Sequence, residues 1–422
     1  MYKAPRGTAD VLPQDQPYWR YVEGKAAHIC HLCGYRHIDT PIFEDTRLFV
    51  RSIGDETDIV KKEMYTFEDR SGTNMTLRPE GTAPVCRAYL EHGMHNLPQP
   101  VKLYYIAPIF RYERPQAGRY RQHHQFGFEA IGDIDPALDA EIIDMAWQFY
   151  ASLGLEGFSL KLNSIGCPKC RPKYIEELKR HYVPYRTQLC RDCQTRLGRN
   201  PLRLLDCKQD SCQPAANSAP HSLDYLCSEC TEHFKRLQGY LDLMGIPFEV
   251  THRLVRGFDY YTKTVFEIQP KEEGAQSALG GGGRYDGLIE ELGGKPTPAI
   301  GFAAGIERVI LNIKKQTIAV PPLSHPDVFI AYVGQEAKKQ ALKLVVQLRK
   351  AGIGATTPFG DRSLRSQLRQ ANTLGVNQTL IIGEEEIRTD TVLLRDMTKA
   401  EQRREPLGKA LNLLKGKQSL SD

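Results

Sequence analysis

Two spacings of apolar residues run through the chain and divide it. Over Leu103–Gly132, two β-rich arms flank the turn Arg114-Pro-Gln-Ala-Gly-Arg119, which is the pattern of a hairpin with a long loop. On the second arm a period of two puts Phe126, Phe128 and Ala130 on one face and Gln125, Gly127 and Glu129 on the other. One face packs, and the other offers an amide and a carboxylate on either side of a glycine that leaves room for a small polar ligand. The same mixed strand-and-helix texture extends to about Ile165 and returns from about Val250 to Lys315. Between them lies a stretch with eight of the eleven cysteines. It reads as a partly helical insertion, about residues 167–248, because chemistry-bearing residues fall on both sides of it.

Pro321-Pro322 stiffens a linker and breaks any helix. Beyond it Val328-Phe-Ile-Ala-Tyr-Val reads as a strand, followed by a helix through Lys350 and the turn Ala351-Gly-Ile-Gly. Leu364, Leu368 and Ala371 then recur at helical spacing while Arg362, Arg365 and Arg369 face elsewhere, and Gln378-Thr-Leu-Ile-Ile-Gly returns as a buried strand. The expected organisation is a domain over 1–320 that contains the insertion, and a small α/β domain over 321–422.

Composition adds constraints. With 422 residues, 41% hydrophobic and 25% charged, the chain is globular and neither disordered nor a disulfide-stapled miniature. No stretch approaches the roughly 18 apolar residues of a membrane helix, and the first residues lack the apolar core of a signal peptide. A soluble, cytoplasmic protein with no membrane partner is expected. The net charge is +5, and all of that excess lies beyond Pro321, which suits a polyanionic partner as well as it suits a solvated basic surface.

Phosphate-cradling glycine loops of the P-loop and dinucleotide types are absent, as are the G-x-S-x-G and H-E-x-x-H motifs. Any nucleotide is therefore held by arginines. Arg111, Arg114, Arg119 and Arg121 gather in the hairpin, where a guanidinium fork grips two phosphate oxygens at once. In Leu77-Arg-Pro-Glu-Gly-Thr82, Pro79 and Gly81 force a turn expected to push Glu80 and Thr82 out together. Leu254-Val-Arg-Gly-Phe-Asp-Tyr-Tyr261 sets Arg256 near Tyr260 and Tyr261. Gly280-Gly-Gly-Gly-Arg-Tyr-Asp-Gly287 suggests close backbone approach to a ligand, with a plain flexible loop as the alternative. Ala299-Ile-Gly-Phe-Ala-Ala-Gly-Ile-Glu-Arg308 reads as a strand of small residues running into a helix.

In this order the segments resemble the class II aminoacyl-tRNA synthetases, and within them the histidine-specific family. The hairpin with Arg111 is similar to the class's second motif, Gly301 to Arg308 to its third, and Gly34-Tyr-Arg-His-Ile-Asp-Thr-Pro41 to its first, which lies at a dimer interface. The segments around Arg256 and Arg284 resemble the two histidine-type signatures. The resemblance implies an α+β catalytic domain built on an antiparallel sheet flanked by helices, a C-terminal anticodon-binding domain, and a homodimer. It also implies ligation of L-histidine to its tRNA through histidyl-adenylate, with ATP and Mg²⁺ consumed and AMP and pyrophosphate released. Arg111 and Arg256 would be catalytic, and Arg111, Arg119 and Arg308 would bind ATP. Glu129 and Tyr261 would meet the two imidazole nitrogens beside Tyr260, while Glu80, Thr82 and Gln125 would hold the α-amino group. Arg114 and Gln116 would approach the tRNA acceptor end.

Cys167-Pro-Lys-Cys170, Cys190-Arg-Asp-Cys193 and Cys227-Ser-Glu-Cys230 are three C-x-x-C pairs, with Cys207 and Cys212 as a looser fourth. In a reducing compartment two readings stand: a structural zinc site, or reduced cysteines that bind nothing, in an insertion that clamps the tRNA acceptor arm. Two rival functions were weighed on the same residues. A catalytically silent, histidine-sensing regulatory subunit would lose Arg256 or the basic terminal domain, and a zinc-stabilised nucleic-acid binder leaves Glu80, Gln125 and Glu129 without purpose.

Overall fold

The hairpin forms as its alternation predicts. In the computed structural model, which describes residues 2–55, 57–115, 118–271, 278–399 and 401–418, Val101–Phe110 pairs antiparallel with Gln122–Ile131 along its whole length. Around this pair an eight-stranded sheet is built in the order Arg36–His37, Val101–Phe110, Gln122–Ile131, Ala299–Gly305, Gly280–Arg284, Thr262–Pro270, Phe158–Ser164, Phe248–Val250. The six central strands are antiparallel, and the two short edge strands join in parallel. The sheet thus draws strands from both sides of the cysteine-rich stretch, as one discontinuous domain requires.

One face of the sheet carries Phe126, Phe128, Phe266 and Phe302 into a core with Trp19, Val22, Ile142, Phe149, Leu237 and Ile313. These come from helices Gln16–Leu32, Pro136–Ser152, Ser228–Leu243 and Ile306–Lys315. Helix Pro136–Ser152 starts where it does because Pro136 presets the first helical φ and the Asp135 side chain accepts from Ala137 N at 2.9 Å. The last helix of the 167–248 stretch, Ser228–Leu243, is not set apart as an insertion. Phe234, Leu237 and Leu241 belong to this same core, since that face of the helix is apolar and finds its partner on the sheet's own helices. The opposite face of the sheet packs Tyr105, Tyr260, Tyr261 and Tyr285 with Val85 and Tyr89 of helix Thr82–Glu91 and Tyr174 of helix Arg171–Tyr182.

The chain divides into two compact units, Met1–Pro321 and Pro322–Asp422. In the second, Ala355–Thr356, Val328–Tyr332 and Gln378–Ile382 are parallel, while Thr391–Asp396 and Gln402–Pro406 add antiparallel. On helix Leu364–Thr373, Leu364, Leu368 and Ala371 pack on Phe329 and Ala331, leaving Arg362, Arg365 and Arg369 exposed. Among the described residues no helix is long and apolar enough to cross a membrane.

Candidate active site

Glu80 starts the helix that roofs the site. Its Oε2 accepts from Thr82 N at 2.6 Å and its Oε1 from Ala83 N at 2.8 Å, satisfying amides that a helix leaves open at its first turn. The expected outward projection of Glu80 and Thr82 does not occur. Both are buried, because the turn faces the sheet. Thr82 Oγ1 donates to Glu129 Oε1 at 2.7 Å, and Tyr285 OH donates to Glu129 Oε2 at 2.6 Å. Tyr260 and Tyr261 close the enclosure, their ring centroids 4.7 Å apart, with Tyr285 edge-on to Tyr260 at 5.7 Å. Burial pushes the Glu129 carboxyl up to about 8, against the pull of the Tyr285 and Thr82 hydroxyls, and the Glu80 charge pushes the same way. Burial raises Glu80 as well. Two buried acids, both raised by burial, and an unpartnered, buried Gln125 Oε1 present acceptors that suit a ligand rich in N–H donors.

Missing side chains shape the chamber. Gly81 and Gly127 sandwich the Tyr105 ring, and a Cβ on either would come within 2.4 Å of Tyr105 Cζ. The room over Gly127, expected to receive a ligand, is therefore filled by Tyr105, the residue opposite it in the hairpin register. Gly280 to Gly283 are strand rather than loop, and what approaches them is the protein itself: neighbouring strand backbone, core rings and, at two of the four, side chains of the site. A Cβ at Gly281 would lie 2.7 Å from Arg256 Nη1, and one at Gly283 would lie 2.9 Å from Tyr261 Cδ1. Across the sheet a Cβ at Gly301 would fall 1.6 Å from Glu129 Oε2, so that glycine is what admits the carboxylate.

Beside this chamber the guanidinium groups gather. Arg111 Nε donates to Pro79 O at 2.7 Å, and its guanidinium lies 5.6 Å from the centre of the Phe258 ring, which itself stacks on Tyr260. Arg308 Nε donates to Gly118 O at 3.0 Å and its Nη1 to Ala278 O at 3.1 Å. Gly118 turns at φ +73°, a conformation that suits glycine, to present that carbonyl. Burial pulls Arg308 below its ordinary range, Arg119 and Arg111 add to the effect, and Glu113 opposes it. His123, squeezed by burial and by Arg111 and Arg308, is pushed down to about 3 and is neutral. Arg256 lies over the Tyr261 ring and pairs with Glu267. Burial works against its charge, but Glu267 and Tyr261 more than offset that. Arg111 and Arg308 thus both act on His123, and Arg111 and Arg256 lie over the neighbouring rings of Phe258 and Tyr261, a set of guanidinium groups able to grip phosphate oxygens.

Comparison with known proteins agrees with this geometry. A family model described as histidyl-tRNA synthetase matches residues 7–169 and 187–309. The chain belongs to that family. A second model, described as an anticodon binding domain, matches residues 327–417. A histidine–tRNA ligase of Dehalococcoides mccartyi is 60% identical over 407 residues, covering 96% of this chain and 97% of its own. One from Pelotomaculum thermopropionicum is 49% identical over 413 residues, covering 98% and 97%. Among solved structures, apo S. aureus histidyl-tRNA synthetase is 39% identical, covers 98% of this chain and 100% of its own, and superposes with a TM-score of 0.83.

Of the residues singled out by sequence, Glu80 and Thr82 act on Glu129, Tyr260 and Tyr261 pack together with Arg256 over the latter, Arg111 and Arg308 both act on His123, and Gln125 is buried with its Oε1 unpartnered. Arg119 stands at the rim, 3.9 Å from Glu113 and partly exposed. Arg114 is exposed on the hairpin loop, away from the chamber, and Gln116 lies outside the described residues. Sequence reasoning missed Tyr105, Tyr285, His123 and Glu267. A tyrosine paired across a hairpin with a glycine is the signal that marks Tyr105. The six cysteines named as zinc candidates are not one set. Cys167, Cys170, Cys227 and Cys230 form one group that could hold a metal, and Cys190 and Cys193 form another with Cys207 and Cys212, which are full members rather than a looser pair.

Proposed function

We propose that the chain ligates L-histidine to its tRNA in two steps, with histidyl-adenylate between them. The observation that carries this reading is the buried Glu129, held by Thr82 and Tyr285 and facing Tyr261, over whose ring Arg256 lies. Imidazole has a donor and an acceptor nitrogen when neutral. Glu129, held by two hydroxyls and poised near neutrality, meets one nitrogen and the Tyr261 hydroxyl the other. Glu80, Thr82 and Gln125 take the α-amino group; each Glu80 oxygen keeps a lone pair beyond the one given to its helix. A site so furnished rejects analogues that would leave its buried polar groups unpaired.

The histidine carboxylate oxygen attacks the α-phosphorus of ATP, the bond to the bridging oxygen breaks, and pyrophosphate leaves with that electron pair. Arg111 holds the α-phosphate, Arg256 the reacting phosphoryl oxygens, and Arg308 with Arg119 the far end of the nucleotide. Such a displacement asks the protein for position and for stabilisation of charge. The 2′- or 3′-hydroxyl of the terminal tRNA ribose then attacks the histidyl carbonyl and AMP leaves, with Arg114 and Gln116 near the acceptor end. Mg²⁺ accompanies ATP and neutralises phosphate oxygens. Glu63 and Glu113, whose charges face one another beside Arg111, would offer it hard oxygen ligands in addition to the triphosphate.

We read the working form as a homodimer through the Gly34–Pro41 segment. A concave surface of about 600 Å³ lined by Ile38, Thr40, Pro41, Arg87 and Met94 opens there, with Ile42 and Phe43 half exposed beside it. The regulatory-subunit alternative is not favoured, since Arg256 and the basic terminal domain are both present.

The test is ATP–pyrophosphate exchange with each of the twenty amino acids. Exchange is expected with histidine alone, and Glu129→Ala should abolish it while circular dichroism stays native. Exchange driven by another amino acid, or a near-normal rate in Glu129→Ala, would remove this assignment of the pocket.

A further inference from the structure

All eight cysteines of the 167–230 stretch converge on two points. In each tetrad the four Sγ atoms lie within 4.8 Å of one another. Cys167 and Cys170 are 3.7 Å apart, while Cys167–Cys227, Cys170–Cys230 and Cys190–Cys207 are each 3.9 Å apart. These spacings discriminate between chemistries. A disulfide holds its sulfurs about 2.05 Å apart, whereas a tetrahedral ion with bonds of about 2.3 Å sets them about 3.8 Å apart. An iron–sulfur cluster, with several metal atoms between its thiolates, needs a wider cage. The backbone supports the thiolate form. Cys170, Cys190 and Cys227 each stand at the N-cap of a helix of nine residues or more, and Cys167 N and Cys190 N donate to the sulfurs of Cys170 and Cys212 at 3.3 Å.

Each tetrad is wired to the segment that bears Arg256, Tyr260 and Tyr261. Arg171, the neighbour of Cys170, donates to Ile165 O at 3.2 Å, Gly166 O at 3.0 Å and Tyr261 O at 2.5 Å. Gln213, the neighbour of Cys212, donates to Cys207 O at 2.8 Å and accepts from Arg253 Nη2 at 3.0 Å. Arg253 Nε in turn donates to Leu205 O at 3.1 Å, and Asn200 donates to Asp259 Oδ1 at 2.7 Å. We propose that each tetrad binds one zinc ion, two per chain, and that the pair braces the Leu254–Tyr261 segment from both ends. The bracing role rests on the reading of that segment as the histidine-binding wall; the metal count does not. Short helices and turns with little core of their own gain their order from such a staple.

Protein purified without chelator is expected to carry two zinc ions per chain by plasma mass spectrometry. C167S/C170S and C190S/C193S should each keep one ion. Cobalt-loaded protein should show the intense charge-transfer bands of thiolate ligation, reduced by half in either variant. In both variants, and in Arg171→Gln, which touches no sulfur, KM for histidine should rise about tenfold with KM for ATP little changed. One zinc or fewer per chain, or iron in its place, overturns the metal proposal. Two zinc ions with KM for histidine unchanged in Arg171→Gln, or raised equally with that for ATP, overturns the bracing role. An enzyme that binds two zinc ions but activates no histidine would sink the functional reading and leave the metal centres standing.

Discussion

Glu129 shows what burying one carboxyl does to stability. Enclosed by Tyr285, Thr82 and Glu80, it is raised by burial from 4.5 to about 8. Between those two values the folded chain holds a proton that the unfolded chain has released, so stability falls as pH rises through that window. Glu129→Gln removes the titration. Its melting temperature should exceed that of the unmodified chain most at about pH 8.5, by the equivalent of roughly 2–4 kcal/mol, and converge with it near pH 5. Calorimetry across that range checks this, and parallel melting curves would place the titration elsewhere. On the proposed reading, the residue that meets imidazole is one that the fold keeps at a cost in stability. Glu129 was legible in the sequence because strand alternation put it on the polar face. Tyr285 and Tyr105 were not, since what they do depends on partners supplied by other strands.

At the scale of elements, the glycine-rich strand and helix Pro136–Ser152 are locked through a single acid. Asp139, fully buried, accepts from Arg284 Nε at 2.6 Å, from Thr264 Oγ1 at 2.6 Å, and faces His233 Nε2 at 2.8 Å. Arg284 is also completely buried. The arginine of the Gly280–Gly287 signature thus serves the frame rather than the ligand. Asp139→Ala leaves its guanidinium without its main counter-charge and should cost about 3–5 kcal/mol, read as a lower urea midpoint for the larger unit. A loss under about 1 kcal/mol would mean that Asp286 and the carbonyls suffice. Hairpins and helices with clean periods were legible: the 103–132 arms, the 328–350 strand and helix, and the arginine-bearing helix all form. Helix Ser228–Leu243 was assigned to an insertion because its neighbours are cysteines, whereas its apolar stripe decides where it packs. Nor does spacing say which C-x-x-C pair closes with which, as that is a property of the folded path.

Over the whole molecule, charge is partitioned. The surplus of basic residues lies in the second unit, where Arg362, just before helix Leu364–Thr373, and Arg365 and Arg369 on it are open to solvent. Reversing all three to glutamate should raise KM for tRNA about tenfold or more and flatten its salt dependence, with histidine-dependent exchange unchanged. Equal charging kinetics at several salt concentrations would move the RNA contact to another surface. The basic terminal domain and the proline linker were legible from composition, while the antiparallel pair that completes the second sheet was not, since Gln402–Pro406 is largely polar and Thr391–Asp396 has only the short apolar run Val392-Leu-Leu394. In the larger unit, Ala299–Gly305 occupies the middle of the sheet, between Gln122–Ile131 and Gly280–Arg284, although it is the last of the eight strands to be translated. In a nascent chain the edge of Gln122–Ile131 therefore stays unpaired until Ala299–Gly305 follows about 170 residues later, and whatever shields that edge from neighbouring polysomes has to stay for that interval.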